Sequence, residues 1–164
     1  MESISAPHPL SLISAKEISY TVALLHSEKR LTPSMRFVSI LLKEPTKPFM
    51  LAYKPGDPFS RETFSIILDK GDGKTYETVV NLTEKKIVSF AHKPGIQPSI
   101  MLDEFFEVDD LVRNDPQVID ACAKKGLTNM DLLMVEPWSA GNYGIVEDEG
   151  KRLKRDSMDE NPSN

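Results

Sequence analysis

At 164 residues, with 40% hydrophobic and 27% charged side chains, the chain has enough apolar material to build a core and lacks the composition of a disordered protein. Its formal net charge of -5 argues against a surface that gathers phosphates, so no nucleic-acid partner is expected. The start lacks a basic segment leading into an apolar one, and no apolar run reaches the ~20 residues of a membrane span, so the reading is an intracellular protein with no signal peptide and no membrane partner.

Domains commonly run to roughly 100–150 residues, so this length holds one domain or two small ones, and the elements favour two. Residues 1–7 are expected to be a flexible N-terminus. Ser14-Ala15-Lys16-Glu17 has the form of a capping box and predicts a helix running to about Lys29, with Ile18, Val22 and Leu25 as its apolar stripe and Pro33 blocking any continuation. Met35–Leu42 is dense in β-branched and apolar residues and stops at Glu44-Pro45, which reads as a strand. Thr63–Leu68 alternates with the period of a strand that buries one face. Lys70-Gly71-Asp72-Gly73-Lys74 supplies glycines for positive φ angles, so Thr75–Val80 returns as the second arm of a hairpin. A turn over Thr83–Lys86 leads into Ile87–Ala91. One helix followed by four strands predicts an α+β fold for residues 8–93, a small antiparallel sheet with a helix packed on it.

Pro94-Gly95-Ile96-Gln97-Pro98 excludes both helix and central strand and reads as a linker over residues 94–98. Beyond it Met101, Phe105, Val108 and Val112 mark a second amphipathic helix, closed at Asn114-Asp115-Pro116. A third helix follows, with Asp115 as N-cap, Pro116 at the first helical position and Gly126 past its end. Leu132–Val135 is predicted to be a short strand that runs into Pro137. Residues 99–146 thus read as a partial second α+β domain, and residues 147–164, rich in charge and poor in apolar groups, as a disordered tail.

Chemistry is sparse in this sequence. His8, His26 and His92 show neither H-x-H nor H-E-x-x-H spacing, so no metal site is expected, and His26 reads as a helix-end histidine. Cys122 is the only cysteine, which rules out an intrachain disulfide; on the Val118, Ile119, Cys122 face it reads as a small buried hydrophobe. Asp103, Glu104, Glu107, Asp109 and Asp110 read as the solvated face of the second helix. The loop over residues 70–74 lacks the spacing that cradles phosphates, and Asn81-Leu82-Thr83 matches a glycosylation sequon by chance. What remains is Pro137-Trp138-Ser139-Ala140-Gly141-Asn142-Tyr143-Gly144, where a large ring at a bend is equally suited to filling a core or lining a channel.

Several segments carry a family resemblance. His8-Pro9-Leu10, Arg36-Phe37-Val38, Leu42-Lys43-Glu44-Pro45, the run from Lys74 to Leu82, Pro94-Gly95-Ile96-Gln97-Pro98 and Asp115-Pro116-Gln117-Val118 resemble the second amino-terminal domain and its continuation in copper-containing, topaquinone-dependent primary amine oxidases. The run from Val135 to Gly144 is similar to the third domain, particularly its fungal and bacterial forms. The resemblance implies a cystatin-like N2 domain followed by the start of an N3 domain, non-catalytic and joined in the full enzyme to a catalytic β-sandwich, the chain's expected partner, within a homodimer. That enzyme would turn primary amines into aldehyde, ammonia and hydrogen peroxide, using copper held by three histidines, a quinone made from the tyrosine of an Asn-Tyr-Asp/Glu motif, and an aspartate base.

None of those groups matches a position here, so the resemblance implies no catalytic, metal or cofactor-binding residue in this chain; Gly144 follows Asn142-Tyr143 where an acid belongs. Trp138, Pro98 and Ile100 resemble residues that line the substrate channel. The resemblance also implies a severed N3 domain that would be less stable than the first, and a cytoplasmic or peroxisomal compartment. The alternative is a free-standing cystatin-like binding module without activity.

Overall fold

The computed structural model describes residues 8–28, 30–140, 144–148 and 151–157, with Asp148 and residues 154–157 by their backbone alone. The expected flexible N-terminus, Lys29 at the expected end of the first helix and the end of the tail lie outside them, as do Asn142 and Tyr143. The chain is α+β and divides into two units, Met1–Pro98 and Ser99–Asn164.

In the first unit the capping box forms as the sequence dictates. The Ser14 hydroxyl accepts from the Glu17 amide (3.3 Å), the Ser14 amide donates to Glu17 Oε2 (2.7 Å), and helix α1 runs Ala15–Ser27. Strands β1 (Met35–Lys43), β2 (Glu62–Asp69), β3 (Thr75–Asn81) and β4 (Lys86–Lys93) form one antiparallel meander in the order β1-β2-β3-β4. The β2–β3 turn uses Gly73 at φ +73, where a Cβ is disfavoured. A short helix, α2 (Lys47–Ala52), with a proline in its first turn, interrupts the β1–β2 connection; the sequence reading left residues 46–61 without an element.

The buried stripe of α1 is not the expected one. Glu17, Thr21 and Leu25 are buried, whereas Ile18 and Val22 are only half-covered. Leu25 joins Ile67, Val80 and Leu82 in the core, with Phe37, Tyr76, Ile87 and Phe90 packed around them. Apolar spacing misjudges the helix because polar groups are buried where they are satisfied. Thr21 Oγ1 and Thr63 Oγ1 share a hydrogen bond of 3.0 Å, and Arg61, 4% exposed, clamps Glu17, 2% exposed. Arg61 Nε donates to Glu17 Oε1 (2.6 Å), Nη2 to Oε2 (3.3 Å), and the guanidinium also reaches the carbonyls of Pro9 (3.1 Å) and Leu12 (3.0 Å). Next to this network, Ser65 and Thr78 face each other across β2 and β3, and their buried hydroxyls have no hydrogen-bond partner among the described residues.

The second unit repeats the clamp with different elements. Helix α3 (Leu102–Asn114) starts at Met101, whose amide donates to Glu104 Oε2 (2.9 Å). Glu104 is only 2% exposed, so it does not belong to the solvated acidic face expected for it. Arg152 covers it, donating from Nε to Oε1 (2.5 Å), from Nη2 to Oε2 (2.6 Å) and from Nη2 to the carbonyl of Ser99 (3.0 Å). Helix α4 (Pro116–Lys124) is capped as predicted, Asp115 accepting from the Gln117 (2.7 Å) and Val118 (3.2 Å) amides, and Gly126 takes φ +90 past its end.

The predicted strand Leu132–Val135 does not form. A 3-10 turn occupies Met130–Leu132, with Asn129 accepting from the Asp131 amide, and the strand is displaced to β5 (Glu136–Ser139). It pairs antiparallel with β6 (Lys154–Ser157), so the segment expected to be a disordered tail contributes a 3-10 turn at Val146–Asp148 and a strand. A proline inside β5 is tolerated for a geometric reason. The Ala140 amide donates to the Leu153 carbonyl (3.2 Å), so even-numbered residues turn their backbone toward β6 and the Pro137 nitrogen faces the open edge. That edge lacks a donor at its centre, which blunts the strand pairing it would otherwise invite.

Arg61→Ala leaves the Glu17 carboxylate buried and unpaired and should cost about 3–5 kcal/mol in urea unfolding followed by far-ultraviolet dichroism, whereas Arg61→Met with Glu17→Leu should cost much less. Burial alone pushes the Glu17 carboxyl up, but hydrogen bonds from Arg61 and Ser14 and the Arg61 charge outweigh it and hold the group below its ordinary 4.5. The unfolded chain therefore binds this proton first as pH falls: the contribution is complete above 4.5 and is lost as pH drops below it toward the lowered folded value. Thr78→Val removes an unpartnered buried hydroxyl at equal volume and should be neutral or stabilising by about 1 kcal/mol in the same unfolding assay.

Candidate functional site

Two segments carry the residues singled out for a site. Pro98 closes the first unit and is buried, while the nearby segment is held by Thr75, whose hydroxyl donates to the Ile96 carbonyl (2.7 Å). Ile100, half-buried, and Trp138 belong to the second unit. Trp138 lies within β5, not at a bend, and the residue is 63% exposed. Helix α3 packs against β5 and positions that strand, so the ring is displayed by a short, supported element.

Beside β5, α3 and the extended residues 133–135 enclose a surface groove of about 460 Å3. Phe105, Phe106, Leu132, Leu133, Met134 and Val135 form its apolar walls. Asp109 and Arg113 close one side as an ion pair (2.8 Å), and Arg113 also donates to the Met130 carbonyl. The paired aspartate holds the Arg113 guanidinium further toward its charged form. Asp131 and Glu136 stand at the rim, both exposed.

The histidines do not converge. His8 stacks edge-on against Tyr53 (5.3 Å), His26 sits in the last turn of α1, and His92 lies beside Tyr76 (5.5 Å) on β4. Among the described residues no three of His, Cys, Asp or Glu are gathered as a metal would require, so the donor set does not fit a copper site. Cys122 is buried on α4 as a small apolar group. Asn81 is 5% exposed, with its amide nitrogen committed to Ser60 (2.9 Å) and Glu62 (3.2 Å), so the sequon there is inaccessible in the folded chain. The residues that sequence reasoning missed, Arg61 and Arg152, lie 44 and 48 positions from the glutamates they clamp, and no local pattern announces either.

Comparison with known proteins gives this geometry a context. The AGAO-like N2 domain matches residues 14–90, and the copper amine oxidase N3 domain matches residues 103–163. The chain belongs to the copper amine oxidase family, as its N2 and N3 domains. It is 39% identical over 97% of its length to a primary amine oxidase of Arthrobacter sp. (strain P1), and 28% identical over 90% to a peroxisomal copper-containing diamine oxidase of Nicotiana tabacum. The fold matches a crystal structure of a copper-containing benzylamine oxidase from Hansenula polymorpha with a TM-score of 0.65 at 23% identity, over 82% of this chain and 22% of that one. The chain spans about a quarter of the length of these curated relatives (25% and 23%). The N3 match continues to residue 163, past the expected end of the second domain at 146 and through β6.

The exposure of Trp138 gives a direct check, because it is the only tryptophan. Its emission should be red-shifted and readily quenched by acrylamide in the folded chain, and steady-state quenching measures this; a blue, protected emission would contradict an exposed ring on β5.

Proposed function

We propose that this chain serves as the N2–N3 part of a primary amine oxidase that converts primary amines, oxygen and water to aldehyde, ammonia and hydrogen peroxide. The observation that carries the reading is the collinear pair of domain matches, N2 over α1 to β4 and N3 over α3 to β6, each within its own unit. Copper and the quinone belong, in this reading, to the catalytic β-sandwich that is the chain's partner in a homodimeric enzyme. The described residues hold no donor set for copper, and no catalytic step is assigned to them. A cytoplasmic or peroxisomal setting fits, supported by the peroxisomal relative from tobacco.

Within the enzyme these domains shape access to the catalytic domain. Trp138 is assigned to the channel wall, a role supported by its exposed indole on a short strand anchored by α3. A large rigid ring discriminates among amines by excluding bulk and by contacting apolar substituents. Ile100 is assigned to the same wall, whereas buried Pro98 sets the path of the chain and does not itself meet the amine.

The test is a graft. The Arthrobacter relative, with its N2–N3 portion replaced by this chain, should release peroxide from methylamine, and a folded, copper-loaded graft that releases none would sink the proposal. Trp138→Ala in the active graft should change the benzylamine-to-methylamine ratio of kcat/KM by about tenfold, read from initial rates; an unchanged ratio would remove Trp138 from the channel. The 164-residue chain alone, supplied with copper and either amine, should release no peroxide above a buffer control.

A further inference from the structure

The groove beside β5 displays one oxidisable atom. Of the 7 methionines, Met1 and Met158 lie outside the described residues; Met35, Met50, Met101 and Met130 are half-buried, and Met134 is 73% exposed. Met35 packs against the core of the first unit. The backbone on both sides of Met134 is anchored: the Leu133 amide donates to the Met130 carbonyl (3.1 Å), and Val135 is 3% exposed. Met134 lines the groove between half-buried Leu133 and buried Val135, and at 73% exposure its side chain stays open to solvent.

We propose that Met134 is a reversible oxidation site for hydrogen peroxide, modified by the peroxide that amine turnover releases; the second half of this statement rests on the proposed function. The thioether sulfur attacks one peroxide oxygen, the O–O bond breaks, an S=O bond forms, and the other oxygen leaves as water after proton transfer. The sulfur is oxidised by two electrons and the peroxide is reduced by the same two, so the step balances with no further reactant. The product is a polar, chiral sulfoxide on the rim of an apolar groove, and methionine sulfoxide reductases reverse it. Its placement matters because Leu132, which lines the same groove, is also 73% exposed, so a surface that covers the groove meets the new oxygen.

The experiment has two arms. In the first, the 164-residue chain is treated with limiting hydrogen peroxide and mapped by peptide mass spectrometry. Met134 should gain one oxygen about tenfold faster than Met35, Met50, Met101 or Met130, and Met134→Leu should abolish that fast phase while leaving the slow ones. Equal rates across these methionines would overturn the site. In the second arm, the active graft is turned over with methylamine, with and without catalase. Oxidation of Met134 that catalase suppresses is expected, and turnover without oxidation would overturn the link to amine oxidation. An inactive graft counts against the proposed function alone, since added peroxide still decides the site.

Discussion

The structure depends on a buried carboxylate at the start of a helix meeting an arginine from far along the chain. Glu17 and Glu104 each occupy the third position of the first helix of their unit, and each satisfies the amide of the residue that caps the helix. A charge this deeply buried is tolerable only if its hydrogen-bonding capacity is filled, and Arg61 and Arg152 fill it with paired N–H donors. The same guanidinium groups bind backbone carbonyls of the segment that precedes each helix, at Pro9 and Leu12 in one unit and at Ser99 in the other. One side chain thereby fixes three things: the helix start, the chain entering it, and the approach to the strand beside the arginine. The rotation of α1 follows, because holding Glu17 inward brings Thr21 over Thr63 and Leu25 into the core.

This explains which parts of the fold were legible in the sequence. Elements governed by local chemistry were: the Ser14 box, the glycine turn at residues 70–74, the Asp115–Pro116 cap and the four strands of the first unit all reflect interactions within a few residues. The face of α1 was not, since polar Glu17 and Thr21 displace apolar Ile18 and Val22 from the interior only through residues more than forty positions away. The acidic run after residue 102 misled for the same reason: Glu104 resembles its solvated neighbours until Arg152 is brought to it. β5 was misplaced because Pro137 argued against a strand, and the argument holds only for a strand paired on both sides. The family was legible from short motifs in collinear order, which periodicity and composition could not supply. The expected channel residues Trp138, Pro98 and Ile100 came from that resemblance, and their differing exposure is information that only the structure carries.

The functional picture is of a scaffold whose importance lies in what it presents. Its ion pairs serve structure, its histidines lie against aromatic rings or at a helix end, and both units leave large apolar side chains exposed, among them Trp138 and Met134 in the second. The first unit resembles a finished small domain, with a closed core and a polar layer between helix and sheet. The second rests on two helices and a two-stranded ribbon, a size at which sheets are marginal without added cover. The apolar groove and the exposed indole therefore follow from how little sheet is available to bury them.

Cys122 has a use that its chemistry alone would not suggest. It is the sole thiol, it is 8% exposed, and its carbonyl accepts the Lys125 and Leu127 amides that close the end of α4. A thiol reagent in excess reaches it only when that helix lifts from its support, so the labelling rate in native buffer is a clock for opening events. With no other cysteine to contribute, the clock belongs to the second unit, and its free energy of opening can be obtained while the first unit stays folded.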